Sequence, residues 1–101
     1  PSGPIPVEAI RKGGHVVVTF RDVQGRLVTY SSDTAIGFEL CGSAVGSCRY
    51  VRADVNGSQV ALGASEVGAA TRVRYCWADS PVCNLYDQSG LPVGPFELAV
   101  R

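Results

Sequence analysis

The sequence has a single histidine, His15, no surplus of either charge and no long apolar run. Each of these absences removes a class of function. Nine basic residues balance nine acidic ones and neither sign clusters, so the field that would attract nucleic acid or an anionic membrane surface is missing, and neither partner is expected. Apolar runs such as Val16-Val17-Val18 fall far short of the roughly 20 residues that a membrane helix needs. No charged-then-apolar leader stands before Pro1, so a soluble, mature or excised piece is expected. No apolar period of 3.6 residues is sustained, which argues against a helical fold.

What is present suits one small domain. With 101 residues, 46% of them hydrophobic, the chain can bury a core without a second domain. Residues 1–6, PSGPIP, read as a linker or domain entry, because their prolines resist regular pairing until about Val7. Residues 7–101 read as a single β-sandwich domain.

The four cysteines fall in two pairs, Cys41 with Cys48 and Cys76 with Cys83, each enclosing six residues. Such short loops, rich in Gly, Ser or Pro, can turn back on themselves, so these local pairs are preferred among the three connectivities. The spacing differs from that of zinc ligand pairs and one histidine adds little, so neither a metal nor any other cofactor is expected. Two bridges imply an oxidising compartment, periplasmic or extracellular.

The strand signals are short and frequent. VEAIR turns at Gly13-Gly14 into HVVVTF, where Val16, Val18 and Phe20 share one face. Gln24-Gly25 then predicts a hairpin over residues 15 to 30. IGFEL forms the next strand, and RYVRADV alternates Val51, Ala53 and Val55 with Tyr50, Arg52 and Asp54. Asn56-Gly57 is the strongest hairpin signal, with positive φ expected at both positions, and SQVAL returns from it. TRVRYCW sets Val73, Tyr75 and Trp77 on one face, pointing them into the core, and PFELAVR closes the chain with Phe96, Leu98 and Val100 inward. Eight or nine such strands predict an all-β, antiparallel β-sandwich, jelly-roll or immunoglobulin-like.

Catalytic patterns are weak. His15 opens a strand and reads as a surface residue. Gly63-Ala64-Ser65-Glu66-Val67 resembles a nucleophile elbow, but valine stands where glycine is required, and the segment reads as a loop. Asp79 and Asp87 could form a carboxylate pair for glycoside chemistry, although Asp79 before Ser80-Pro81 is explained more simply by turn capping. Asp54 and Asn56 lack the other ligands of a calcium loop. Sugar binding remains, through aromatic faces and neighbouring amides and carboxylates, with Trp77, Tyr86, Asn84 and Asp79 as candidates.

GFELCG at 37–42, with VRYCWADSPVCNLYDQSGLPVGPF at 73–96, resembles the C-terminal region of the sialate O-acetylesterase family, the sialic acid-specific 9-O-acetylesterases and related bacterial carbohydrate acetylesterases. The resemblance is carried by Gly37-Phe38-Glu39, Val73-Arg74-Tyr75, Trp77-Ala78-Asp79, Pro81, Asn84-Leu85-Tyr86, Gly90-Leu91-Pro92 and Pro95-Phe96. The sequence departs from it at Cys76, where such proteins often carry alanine, and at Leu98-Ala99-Val100, where the family ends in more polar residues.

The resemblance implies a hydrolase of acetyl esters on sugars whose serine, aspartate and histidine lie in a separate flavodoxin-like domain. Neither its Gly-Asp-Ser block nor its Asp-x-x-His block occurs here, so no catalytic residue carries over. The expected role is therefore a noncatalytic accessory domain that packs on the catalytic domain of the same polypeptide and supports or borders its glycan site. Trp77, Asp79, Asn84, Tyr86, Leu91 and Phe96 are the expected glycan or interdomain contacts, through loop 79–86 and turn 91–96. The alternatives are an autonomous carbohydrate-binding module using Tyr86 and Trp77, and a plain structural domain.

Overall fold

The computed structural model describes residues 3–63, 67–77 and 82–101. Among them are ten strands and one short 3-10 turn, Val67–Ala69. The hairpin signal at Gly13-Gly14 is realised: β1 (Ile5–Lys12) and β2 (His15–Arg21) pair antiparallel around it, with Gly13 at φ 61°. Along β2 the alternation written in the sequence buries Val16, Val18 and Phe20.

β6 (Arg52–Asn56) and β7 (Gln59–Gly63) form the second hairpin, and β7 pairs with β2, giving a first sheet in the order β1-β2-β7-β6. A second sheet runs β10-β8-β4-β5, built from β4 (Phe38–Cys41), β5 (Arg49–Tyr50), β8 (Arg72–Tyr75) and β10 (Phe96–Ala99). β3 (Leu27–Thr29) and β9 (Leu85–Asp87) pair as a separate ribbon.

The apolar faces meet in one core. Val16, Val18, Val60 and Leu62 come from the first sheet, Phe38, Val73, Tyr75 and Phe96 from the second, and Leu27 and Leu85 from the ribbon. Phe20 meets Phe96 edge-on at 5.7 Å between ring centres, joining the two sheets, and Phe96 stacks on Tyr75 at 5.8 Å. The Tyr75 hydroxyl accepts the Leu85 N–H at 3.0 Å, which ties the ribbon to the second sheet. Burial of this phenol raises its pKa, since the phenolate would lose its hydration.

The two sheets are also linked along both edges. The C-terminal residues run beside β1, where the Arg11 N–H donates to the Arg101 carbonyl and the Arg101 N–H to the Ala9 carbonyl, each at 2.8 Å. On the other side the chain passes from the second sheet at Tyr50 into the first at Arg52, and the Val51 N–H donates to the Phe38 carbonyl at 3.1 Å. Capped edges of this kind leave few unpaired strand groups to recruit another chain.

The all-β antiparallel fold agrees with the sequence reading, with ten strands among the described residues where eight or nine were expected, and four further details differ. The hairpin expected at Gln24-Gly25 does not form, because β3 pairs with β9 rather than with β2. The turn at Asn56-Gly57 is shifted by one residue: Asn56 pairs with Gln59, and Gly57-Ser58 sit at its centre with Gly57 alone at positive φ, 63°. A glycine first in a two-residue turn meets the same twist requirement. RYVRADV is divided between two sheets at Val51. Regular pairing starts at Ile5, inside the expected linker; Pro6 lies opposite Phe20 with a register shift between Pro6 and Glu8 on the outermost strand, where a missing N–H is tolerated.

Candidate functional site

The corner after β8 is set by one backbone conformation. Cys76 has φ 53°, a left-handed value uncommon for a residue with a side chain. It interrupts the alternation, so Val73 and Tyr75 point into the core while Trp77 turns outward and is 48% exposed. The expectation that Trp77 joins Val73 and Tyr75 inside is thereby corrected. Two bonds hold the corner, the Cys76–Cys83 disulfide and a hydrogen bond of 3.0 Å from the Cys76 N–H to the Gly37 carbonyl. Gly37 lies at φ 107°, a backbone conformation that favours glycine, and a Cβ there would stand 3.2 Å from the Cys83 sulfur, a tight contact. The second preferred bridge, Cys41–Cys48, is formed as well.

Outward of this corner lies the solvent face of the second sheet. The tripeptide Phe-Glu-Leu occurs twice, at 38–40 and 96–98, and both copies flank β8 in the same register. Phe38 and Phe96 therefore both face Tyr75 inside, and Glu39 and Glu97 both lie opposite Arg74 outside. Tyr50 on β5 continues the row opposite Glu39 and is 62% exposed. One oxygen of Glu97 accepts the Arg74 Nε–H at 2.6 Å and an Arg72 N–H at 3.2 Å, and the Arg74 bond above all holds the Glu97 carboxyl below its ordinary pKa. The Arg74 guanidinium also lies over the Trp77 ring, 5.3 Å from its centre. The sequence reading named only Trp77 of this group; the repeated Phe-Glu-Leu around Arg-Val-Arg-Tyr is the signal that could have found the rest.

The other expected contacts lie elsewhere. Asn84 is buried, and its side chain is committed: Oδ1 accepts the Ile36 N–H at 2.7 Å, and Nδ2 donates to the carbonyls of Tyr30 and Thr34, each at 3.0 Å. Phe96 is a core residue. Tyr86 is half-buried, edge-on to the exposed Tyr30 at 5.0 Å. Leu91, partly buried, closes the turn after β9, where Asp87 is fully buried and acts as an organiser. Asp87 Oδ1 accepts the N–H of Ser89 at 2.9 Å, its hydroxyl at 2.6 Å and the Leu91 N–H at 3.1 Å; Oδ2 accepts the Gln24 N–H at 3.2 Å. These bonds, the Ser89 hydroxyl foremost, lower the Asp87 pKa. Such a carboxylate is a turn-former, which leaves the pairing with Asp79 without support. Asp79 lies outside the described residues, as do Ala78, Pro81, Ser65 and Glu66.

A cavity of about 410 Å³ opens beside the Cys41–Cys48 loop, lined among others by Leu40, Ser47, Arg49, Tyr50, Val51 and Ala70. His15 is exposed at the first position of β2, its ring against Gly63. Asp54 is ion-paired with Arg52 at 3.2 Å. Among the described residues no three His, Cys, Asp or Glu side chains gather as a metal site, and no helix is long and apolar enough to cross a membrane.

No protein-family model matches the chain, and no curated protein matches its sequence. Solved structures do match it. The crystal structure of a carbohydrate acetylesterase from Xanthomonas citri, described as novel, shares the fold with a TM-score of 0.81 and 29% sequence identity over 95% of this chain. The chain spans 22% of that protein's length.

Proposed function

We propose that this chain is a noncatalytic accessory domain of a carbohydrate O-acetylesterase, packing on the catalytic domain of the same polypeptide and supporting or bordering its glycan site. The observation that carries the reading is the match of 95% of the chain to only 22% of a carbohydrate acetylesterase. A piece of that size leaves ample chain for a separate catalytic domain. The narrower sialate-specific assignment rests on the motifs at 37–42 and 73–96. The two disulfides favour a periplasmic or extracellular site of action.

The chemistry of the described residues agrees with a noncatalytic role. His15, the sole imidazole, stands at a strand end with no carboxylate or hydroxyl bonded to it among the described residues. An activated nucleophile needs such a base, oriented by a third group. The isolated chain should therefore release no acetate from p-nitrophenyl acetate or an O-acetylated sugar. Hydrolysis above the buffer rate that disappears in His15→Ala would overturn the reading. An autonomous carbohydrate-binding module is the second reading, favoured by the exposure of Trp77 just beyond the end of β8.

A further inference from the structure

We infer that the solvent face of the β10-β8-β4-β5 sheet, from Trp77 across the Glu97-Arg74-Glu39 row to Tyr50, is a binding platform for a neutral saccharide chain. The inference rests on the carbohydrate reading above and adds to it a surface and a sugar class. Single exposed aromatics are ordinary on protein surfaces. Here Tyr50 is placed by strand register at one end of a charged row, and Trp77, just beyond the end of β8, lies over Arg74 two strands away. Two strand spacings separate Tyr50 from the Arg74 position under Trp77, roughly 10 Å across the sheet, a reach suited to a short oligosaccharide laid over the strands.

The row from Glu97 to Glu39 has the chemistry that hydroxyl groups require. Arg74 and Arg72 both donate to Glu97, and Arg72 donates further to the Gly42 carbonyl at 3.0 Å, so both guanidiniums are engaged within the protein. Glu39 is only 9% exposed and makes no side-chain hydrogen bond among the described residues; no fully buried side-chain oxygen lacks a partner, so the rim of its carboxylate touches solvent while Glu97 is the exposed acceptor of the row. Two arginines and two glutamates cancel. An anionic sugar would meet no uncompensated cation in the row, whereas a neutral sugar finds acceptors, edges of donors and two apolar ring faces. The guanidinium over Trp77 fixes the indole while leaving nearly half of its surface open, which lowers the ordering cost of stacking.

Trp77 is the only tryptophan, so its fluorescence reports on the platform directly. The 101-residue chain is titrated to millimolar concentration with cellohexaose, xylohexaose, mannohexaose and 3′-sialyllactose, with calorimetry alongside. The expected result is a saturable emission change with at least one neutral hexaose and none with sialyllactose. Calorimetric binding should vanish in Trp77→Ala and weaken roughly tenfold in Tyr50→Ala, while Tyr86→Ala, on the ribbon, binds normally. Both variants at the platform are surface truncations, and circular dichroism checks that they remain folded. The inference is overturned if no hexaose gives a saturable response, if only sialyllactose does, or if binding survives both platform substitutions. Because the chain is tested alone, a null result leaves its packing on a catalytic domain standing, and failure of that packing leaves hexaose binding measurable.

Discussion

The side-chain amide of Asn84 accepts the Ile36 N–H at 2.7 Å, fastening two segments 48 residues apart. Its amino group holds the carbonyls of Tyr30 and Thr34 on the same loop. An asparagine that looked like a sugar ligand is thus the peg for residues 30–36, which lead into β4 and its Phe-Glu-Leu.

Replacing Asn84 should therefore unfold more than it unbinds. Asn84→Ala leaves one buried donor and two acceptors without partners, and stability measured by urea denaturation should fall by about 3 kcal/mol. Asn84→Asp keeps an acceptor for Ile36 but loses both donors, and should also destabilise. A variant with unchanged midpoint would show that water replaces the amide at no cost.

The two depressed carboxyls give the acid side of the stability curve its shape. Asp87 and Glu97 have pKa values lowered in the folded state, so their contribution is fully present above the ordinary carboxyl range of about 4 and is lost as pH falls through the depressed values. The melting temperature should accordingly decline below about pH 4. Asp87→Asn should lower it at neutral pH and flatten the acid decline, because the group that must take up a proton has gone. A parallel pH profile for variant and parent would contradict this role.

The Cys76–Cys83 bridge should stabilise the domain and also set the position of Trp77. Replacing both cysteines by serine should cost roughly 2.5 kcal/mol on chain-entropy grounds. It should also shift the tryptophan emission, because the left-handed corner at Cys76 then loses one of its two fastenings. The matching change at Cys41 and Cys48 should cost a similar amount and leave the emission unchanged. Equal spectra for the two double variants would separate Trp77 from its disulfide.

Local pattern carried the sequence reading wherever the deciding interaction was itself local. Val16, Val18 and Phe20 alternate, and they fill the core; Gly13-Gly14 turns the chain where it stands; both disulfides span loops short enough to be read. Reading failed where a distant partner decided. Nothing near Gln24-Gly25 shows that β3 will pair with Leu85–Asp87, nor that Asp87 will receive the Gln24 N–H. The strand through Val51 keeps its alternation although its partners change from β4 to β7. Trp77 was misplaced because period-two reasoning assumes an extended backbone, and Cys76 is not extended. Asn84 and Asp87 belong to residue types that read equally well as ligands or as turn-formers, and only the N–H groups they face distinguish the two.

If this domain serves a neighbouring catalytic domain, the thermal unfolding of the complete polypeptide, with and without residues 3–101, must register its loss. Removal should lower the melting temperature of an acetylesterase domain by several degrees while each folded molecule still cleaves p-nitrophenyl acetate. An esterase domain that melts identically with and without this chain, or a polypeptide that holds no such domain, would contradict it.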